Sequence, residues 1–248
     1  DKPRTSGCGN SRPGLLPETL VFATDESEHG SQSVIPNRPE RFTGASDDKG
    51  QFEVIELTPG QYRLAVNLPD DEWYLRSIES AESAAPGQTR KRRVTHVDIQ
   101  YGSSVKGLTF TVSQGAAKIG GRIKMPKEGQ AVPGDLRVFL IPAETESAKD
   151  PFRYLEGAVE SDGSFTIATV PPGKYRMLAK VVPPDAQGKV RHLSWKEKGR
   201  TELQQDATRE SQSLELKACQ KLEKYSLPFQ QQPDAETSAK PSPSSATR

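Results

Sequence analysis

The chain has little of what most biochemical activities require, and each shortage excludes something. With Lys+Arg 34 against Asp+Glu 33, a net charge of +1 leaves no surplus cation. Duplex binding needs clustered cation for its phosphate contacts, so no nucleic-acid partner is expected. No stretch approaches the roughly 18 consecutive apolar residues of a membrane span, and the visible chain holds none. The three histidines, His29, His96 and His192, stand singly, without the H-x-x-E or H-E-x-x-H spacing that brings two ligands to one metal. There is no G-x-S-x-G, Walker-type loop or dinucleotide fingerprint. No catalytic residue, metal or cofactor is therefore expected. Asp47, Asp48 and Asp162 sit in turns but lack the dense spacing of a calcium loop, and they read as Asx turns. Because the first residue is Asp1 rather than Met, the absence of a signal peptide excludes nothing.

Apolar residues are also scarce. At 33% hydrophobic, with 20 Gly added, the chain stays below the roughly 45–50% usual for globular proteins. Thin cores with generous polar loops fit two small domains better than one large one.

A self-similar pair of segments sets their size. DDKGQFEVIELTPGQYRLAV and ESDGSFTIATVPPGKYRMLA align without gaps, so that Gly50, Phe52, Pro59, Gly60, Tyr62 and Arg63 recur 113 residues on as Gly163, Phe165, Pro172, Gly173, Tyr175 and Arg176. That period is a whole domain, too long for a solenoid repeat. Gly50 and Gly163 supply the positive φ of a tight turn. Phe52 and Val54, like Phe165 and Ile167, alternate as half-buried strand residues do. Pro59-Gly60 and Pro172-Gly173 carry the type II turn signature, which predicts a reversal into a second strand containing Tyr62 or Tyr175, the two strands pairing as an antiparallel hairpin. Arg63 and Arg176 fall on the opposite face from the tyrosines, toward solvent or an edge carboxylate.

The second copy is predicted to place strands at Ile119–Ile123, Leu136–Ile141, Tyr154–Val159 and a closing Leu214–Lys217. The first has counterparts at Leu20–Ala23, Phe42–Ala45, Val97–Ile99 and Leu108–Val112, but TSGCGNSRPG is a poor opening strand. The expected architecture is all-β: two tandem seven-stranded antiparallel Greek-key sandwiches, residues 1–114 and 115–229, joined rigidly at Gly115 and followed by a disordered tail, 230–248. Residues Ser194 to Glu210 could form a short helix or an ordered crossover. Cys8 and Cys219 flank both units, and in modules stacked end to end they would lie far beyond the roughly 5.5 Å that a disulfide spans. They are expected to be unpaired unless the modules lie side by side.

SDGSFTIATVPPGKYRMLA, with KIGGRIKMPKEGQAVPGDLRVFLIP before it, resembles the carboxypeptidase regulatory-like domain, a transthyretin-like (prealbumin-like, immunoglobulin-like) sandwich. Gly121, Pro133, Gly134 and Val138 stand at the expected kinds of position. The resemblance implies an accessory module of a bacterial secreted or cell-envelope protein, located outside the cytoplasm. Its partner would be another envelope protein or, by likeness to starch-binding modules, a carbohydrate. It also leaves open an accessory role for an enzyme or outer-membrane receptor encoded upstream. The B-type repeats of bacterial adhesins, a second relative, often carry a Lys–Asn isopeptide bond. With only Asn10, Asn37 and Asn67 in the chain, the second copy cannot form one.

Trp73, Tyr74 and Trp195 are the candidate ligand contacts, because aromatic faces stack on sugar rings; each also suits the edge of a core. Arg90–Arg93 forms a cationic run expected in a long loop, available to phosphate, acidic glycan or lipid headgroups.

Overall fold

The computed structural model describes residues 8, 16–26, 41–85, 88–127, 129–185, 188, 190–211 and 213–229. The tail, 230–248, lies outside them, as do His29 and, apart from Cys8, the poor opening segment of the first copy.

Fourteen strands run through the described residues. The N-terminal half holds β1 (Leu20–Asp25), β2 (Arg41–Ala45), β3 (Gly60–Asn67), β4 (Trp73–Ala85), β5 (Gln88–Arg93), β6 (His96–Ile99) and β7 (Leu108–Gln114). The C-terminal half holds β8 (Ala117–Lys124), β9 (Leu136–Pro142), β10 (Leu155–Ala158), β11 (Ser164–Val170), β12 (Gly173–Val181), β13 (Ser213–Leu216) and β14 (Lys221–Pro228). They form four sheets, ordered β2-β1-β3-β6, β5-β4-β7, β10-β9-β12-β13 and β11-β8-β14. A short helix α1 (Thr145–Ala148) and a longer α2 (Glu197–Glu210) complete the elements.

The two four-stranded sheets have one topology, with β1, β2, β3 and β6 in the places of β9, β10, β12 and β13. The repeated residues explain why. Asp47 N–H donates to Gln51 O at 2.8 Å, and Glu160 N–H donates to Ser164 O at the same distance. Gly50 at φ 75° and Gly163 at φ 81° make that turn possible. Single bridges follow at equivalent places, Ser46 to Phe52 and Val159 to Phe165. Tyr62 and Tyr175 are both wholly buried. Each hydroxyl donates to the carbonyl four residues earlier, Tyr62 to Thr58 O at 2.9 Å and Tyr175 to Pro171 O at 2.7 Å. The phenol thus satisfies a turn carbonyl that a following proline cannot help to pair.

That latch corrects the expected hairpin. The segments on either side of Pro172-Gly173 do not pair with each other: β11 joins β8, whereas β12 joins β9 and β13. The Pro-Gly element carries the chain from one sheet of the sandwich to the other. Gly60 is absent from the positive-φ residues, and Gly173, at φ 155°, lies far from the roughly +80° of a type II turn, so neither turn is type II. That φ is one that residues with a Cβ rarely adopt, which favours glycine at 173. Residues 52–59 are likewise not a strand; positive φ at Glu56 breaks the extended run, though Val54 and Leu57 still pack on the core.

The three-stranded sheets differ. In the C-terminal half the last strand, β14, runs parallel to the opening strand β8, a departure from an all-antiparallel sheet. The expected closing segment, Leu214–Lys217, supplies instead the edge strand β13 beside β12. In the N-terminal half β7 finds β4 as its neighbour, antiparallel, so a strand from the insertion between β3 and β6 fills the place that β8 holds in the other half. The cationic run, expected in a loop, is β5, at the edge of that sheet.

Apolar side chains divide accordingly. One core gathers Ala23, Phe42, Tyr62, Leu64, Ile78 and Val97, and Phe152 from the C-terminal half packs against it. A second is built from Ile119, Val138, Leu140, Phe165, Tyr175, Met177 and Leu227 among others. β9 is apolar on both faces because Phe139 and Ile141 turn away from this core onto Leu203 and Ala207 of α2. Of the two readings of residues 194–210, the structure adopts the helix, which makes the C-terminal half three layers thick rather than a pure β-sandwich.

Cys8 and Cys219 are bonded, with Cα atoms 5.1 Å apart. The expectation of free thiols fails because the turn carrying Cys219 sits at the joint between the halves. Cys219 N–H donates to Gly115 O at 3.2 Å, and Lys118 N–H donates to the neighbouring Gln220 O at 2.9 Å. Distance along the chain from the first half is not distance in space from it.

Candidate functional site

The chemistry-bearing side chains converge where the halves meet, in two adjoining patches. β3 and β6 present the first. Arg63 points off β3 over the Trp195 ring, its guanidinium carbon 4.4 Å from the ring centroid. The His192 ring stacks on the same indole at 3.8 Å and 8°. Two parallel rings at that separation leave no room between them, so the guanidinium takes the other face and both faces of Trp195 are covered. Burial pushes the Arg63 pKa down from its ordinary value, with Glu26 and Glu156 pulling the other way, and Nη1 is buried without a hydrogen-bond partner. Against the expectation of solvent or an edge carboxylate, Arg63 is half-buried on the indole near Glu26 and Glu156, and Arg176, also half-buried, donates to the Ser211 carbonyl at 2.6 Å.

Glu156, on β10, anchors the C-terminal side of this patch. It binds His192 Nδ1 through one oxygen, accepts from Ser194 Oγ at 2.9 Å through the other, and lies 3.3 Å from Arg137 Nη2. Burial opposes the Glu156 charge, but the bonds from His192 and Ser194 and the Arg137 charge outweigh it, holding the carboxyl below its usual range. On the N-terminal side, His96 Nε2 pairs with Glu26 Oε2 at 2.6 Å, and its Nδ1 meets Thr95 Oγ1 at 2.7 Å. Serine, histidine and carboxylate are thus neighbours, but in the wrong order for nucleophilic catalysis. The Ser194 hydroxyl gives its proton to Glu156, not to the imidazole, and Ser194 is buried.

The second patch is a cleft of about 170 Å³ lined by Tyr74, Leu75, Arg76 and Arg93 from β4 and β5, and by Asp150, Phe152, Arg153 and Pro171. Its far wall is a single 3₁₀ turn, Pro151–Arg153. Asp150 caps that turn, accepting from the Phe152 N–H at 3.0 Å, and its other oxygen lies 3.3 Å from Arg93 Nη1. Arg153 donates to the Pro172 carbonyl at 3.1 Å and reaches the Tyr175 hydroxyl at 3.5 Å. Burial pushes the Tyr175 phenol up to about 12, against the pull of the Arg153 charge.

Arg76 owes its place to a β-bulge. Leu75 faces Val112 and Ser77 faces Thr111, so Arg76 is an extra residue opposite none. Bulges re-aim a side chain out of the regular alternation.

Of the residues singled out from sequence, Tyr74 lines the cleft and Trp195 lies in the first patch. Trp73, half-buried, opens β4 opposite Gln114. The repeated residues form the turns and latches behind both patches. Arg76, Arg93, Asp150, Arg153, Glu156 and His192 were not singled out as a set, and only the cationic run hinted at Arg93. Among the described residues no three His, Cys, Asp or Glu side chains are grouped to hold a metal ion, and no helix is long and apolar enough to cross a membrane.

No family model matches the chain, and no curated protein matches it. Among solved structures it has a distant likeness to the Bacillus anthracis TIE protein, at 11% identity and a TM-score of 0.26, covering 89% of this chain and 31% of that one. The Streptococcal ancillary pilin matches at 12% identity and 0.26, over 88% of this chain and 63% of the other. The minor pilin of Streptococcus agalactiae matches at 8% and 0.24, over 88% and 85%. The chain thus spans less than two thirds of the first two proteins. Likeness this slight supports no inference about the fold or its use.

Proposed function

We propose that the chain is a non-catalytic pair of β-sandwich modules, residues 1–114 and 115–229, serving as a structural and interaction unit of a bacterial secreted or envelope protein. The observation that carries this reading is how the polar groups at the junction are used. Arg63 is spent on Trp195, Glu156 on His192, Ser194 and Arg137, Arg93 on Asp150, and Lys118 on Asp71 at 2.8 Å. The Arg63–Trp195, Arg93–Asp150 and Lys118–Asp71 contacts cross between the modules and, with Phe152 entering the N-terminal core, fix one against the other, while the Glu156 cluster stays within the C-terminal module; this suits a stiff spacer better than a catalytic centre. The shared order of the four-stranded sheets supports duplication of a seven-stranded Greek-key unit of the carboxypeptidase regulatory-like kind. The disulfide supports a location outside the cytoplasm, where such bonds persist.

Carbohydrate binding through Trp73, Tyr74 or Trp195 is the second reading, favoured by the position of Tyr74 in the cleft. At Trp195 a sugar ring would have to displace His192 or Arg63. Glycan-array screening followed by calorimetry separates the two. The spacer reading expects no saturable glycan binding. Binding lost on Trp73→Ala, Tyr74→Ala or Trp195→Ala, with unfolding unchanged, would replace it with a carbohydrate-binding module.

A further inference from the structure

Three arginines from distant parts of the chain meet in the 170 Å³ cleft, and a single carboxylate, that of Asp150, answers them. Both oxygens of that carboxylate are already engaged, one by the Phe152 N–H and one by Arg93. Positive charge therefore exceeds negative charge within the lining, and the bulge that places Arg76 adds to the excess at the cost of a regular β4–β7 ladder. The surface that the cleft presents is mostly polar and open to water, so an anion there would be held by the guanidinium groups rather than by apolar burial.

The cleft opens beside β5, whose last residue is Arg93. Arg90 to Arg93 are all exposed, and β5 hydrogen-bonds within its sheet only to β4, leaving its outer edge without a strand neighbour among the described residues. An unpaired edge offers main-chain donors and acceptors to an added strand, and its charged side chains choose among candidates. The volume is smaller than the roughly 300–1,000 Å³ of ordinary small-molecule pockets, and suits one acidic group better than a whole ligand.

We propose that β5 and the cleft bind an extended acidic peptide segment of a partner protein. The segment adds as a strand along Gln88–Arg93, and one of its carboxylates seats among Arg76, Arg93 and Arg153. This rests on reading the chain as an interaction unit and names the partner's chemistry. Lys91 and Arg93 share one face of β5, as the pairing with Ala81 and Glu79 requires, and would meet alternate acidic side chains of the added strand.

The test is fluorescence anisotropy on the full, oxidised chain with a labelled hexapeptide, Glu-Val repeated three times. Saturable binding is expected, weakening at least tenfold between 50 and 200 mM salt. Arg76→Glu should weaken it more than tenfold with the urea midpoint unchanged, Arg93→Glu should weaken it as much, and Lys217→Glu, the same charge change elsewhere, should leave it unaltered. Since Arg93→Glu also removes the partner of Asp150, Arg76→Glu at its exposed bulge is the cleaner variant. A peptide with the same charges but N-methylated at alternate amides keeps the electrostatics and loses the ladder; it should bind at least tenfold more weakly. Equal binding of the two peptides overturns strand addition, and polygalacturonate binding as tightly with the same arginine dependence overturns the peptide in favour of an acidic glycan. No saturable peptide binding overturns the site and leaves the spacer reading standing, because the contacts between the modules, Arg93–Asp150 among them, are present whether or not a peptide binds.

Discussion

Replacing Tyr175 by phenylalanine removes one oxygen and tests the latch that both halves share. The ring is wholly buried, so packing is retained and no cavity opens. What is lost is the 2.7 Å hydrogen bond to Pro171 O, which meets no other donor among the described residues. Leaving a buried acceptor unpaired costs about 1–3 kcal/mol, and that is the loss expected at pH 7. The alkaline limb gives a second, independent number. Burial raises the phenol from 10 to about 12, so the folded protein holds this proton more tightly than the unfolded chain. The resulting stability is fully present below pH 10 and is lost as the pH rises through about 12. Two units correspond to about 2.7 kcal/mol, of which about 1.4 kcal/mol should be gone by pH 11. Other groups titrate in that range, Arg63 among them, so the informative quantity is wild type minus Tyr175→Phe. Urea unfolding followed by Trp195 fluorescence in a Trp73→Phe background, at pH 7, 9 and 11, measures it. A constant difference between pH 9 and 11, or a loss under about 0.5 kcal/mol at pH 7, refutes the latch as a stabilising element.

The equivalent change Tyr62→Phe should cost less, about 0.5–1.5 kcal/mol in the same urea assay, because the Thr58 hydroxyl lies 3.3 Å from the Tyr62 oxygen and shares its environment. Gly121→Ala should destabilise the C-terminal half by more than about 2 kcal/mol, since a Cβ there collides with the Tyr225 carbonyl and comes within 2.9 Å of the Phe165 ring; a calorimetric scan showing an unshifted transition would contradict the close β8–β14 approach. Replacing both Cys8 and Cys219 by serine opens a loop of 211 residues, for which chain entropy sets a ceiling of about 5 kcal/mol, and a fall of about 2–5 kcal/mol in urea stability is expected. Glu156 is held below its usual range, so its contribution is present above pH 4.5 and disappears as the pH falls through the lowered value. The stability of Glu156→Gln should accordingly depend less on pH between 5 and 3, read from urea midpoints.

The large sheets were legible in the sequence because their strands bury one face and mark their turns with glycine. β1, β2, β3, β6, β9, β10 and β12 all fall where alternation puts them. β14 escaped because KLEKYSLP exposes most of its side chains, and only Leu227 within it is buried. β5 escaped for a similar reason: QTRKRR has no apolar residue, and its strand conformation comes from the backbone ladder with β4. The Pro-Gly turn was recognised as a turn, but no local signal distinguishes reversal within a sheet from passage between sheets. The cleft was almost invisible, since 74–76, 93, 150–153 and 171 are neighbours only after folding. A bulge at Arg76 depends on the register between β4 and β7, a property of two strands that neither one displays alone.

The Cys8–Cys219 bond makes most of the chain a side loop with respect to mechanical load. Tension that enters on the N-terminal side of Cys8 and leaves on the C-terminal side of Cys219 crosses two sulfur atoms and bypasses the first core, meeting the second only through β14, which would be sheared along β8 and would draw Leu227 out of that core. Roughly 700 Å of extensible contour, the span of 211 residues fully drawn out, stays out of reach of a pulling force until the bond is reduced. Single-molecule extension with and without reductant would show that length appear.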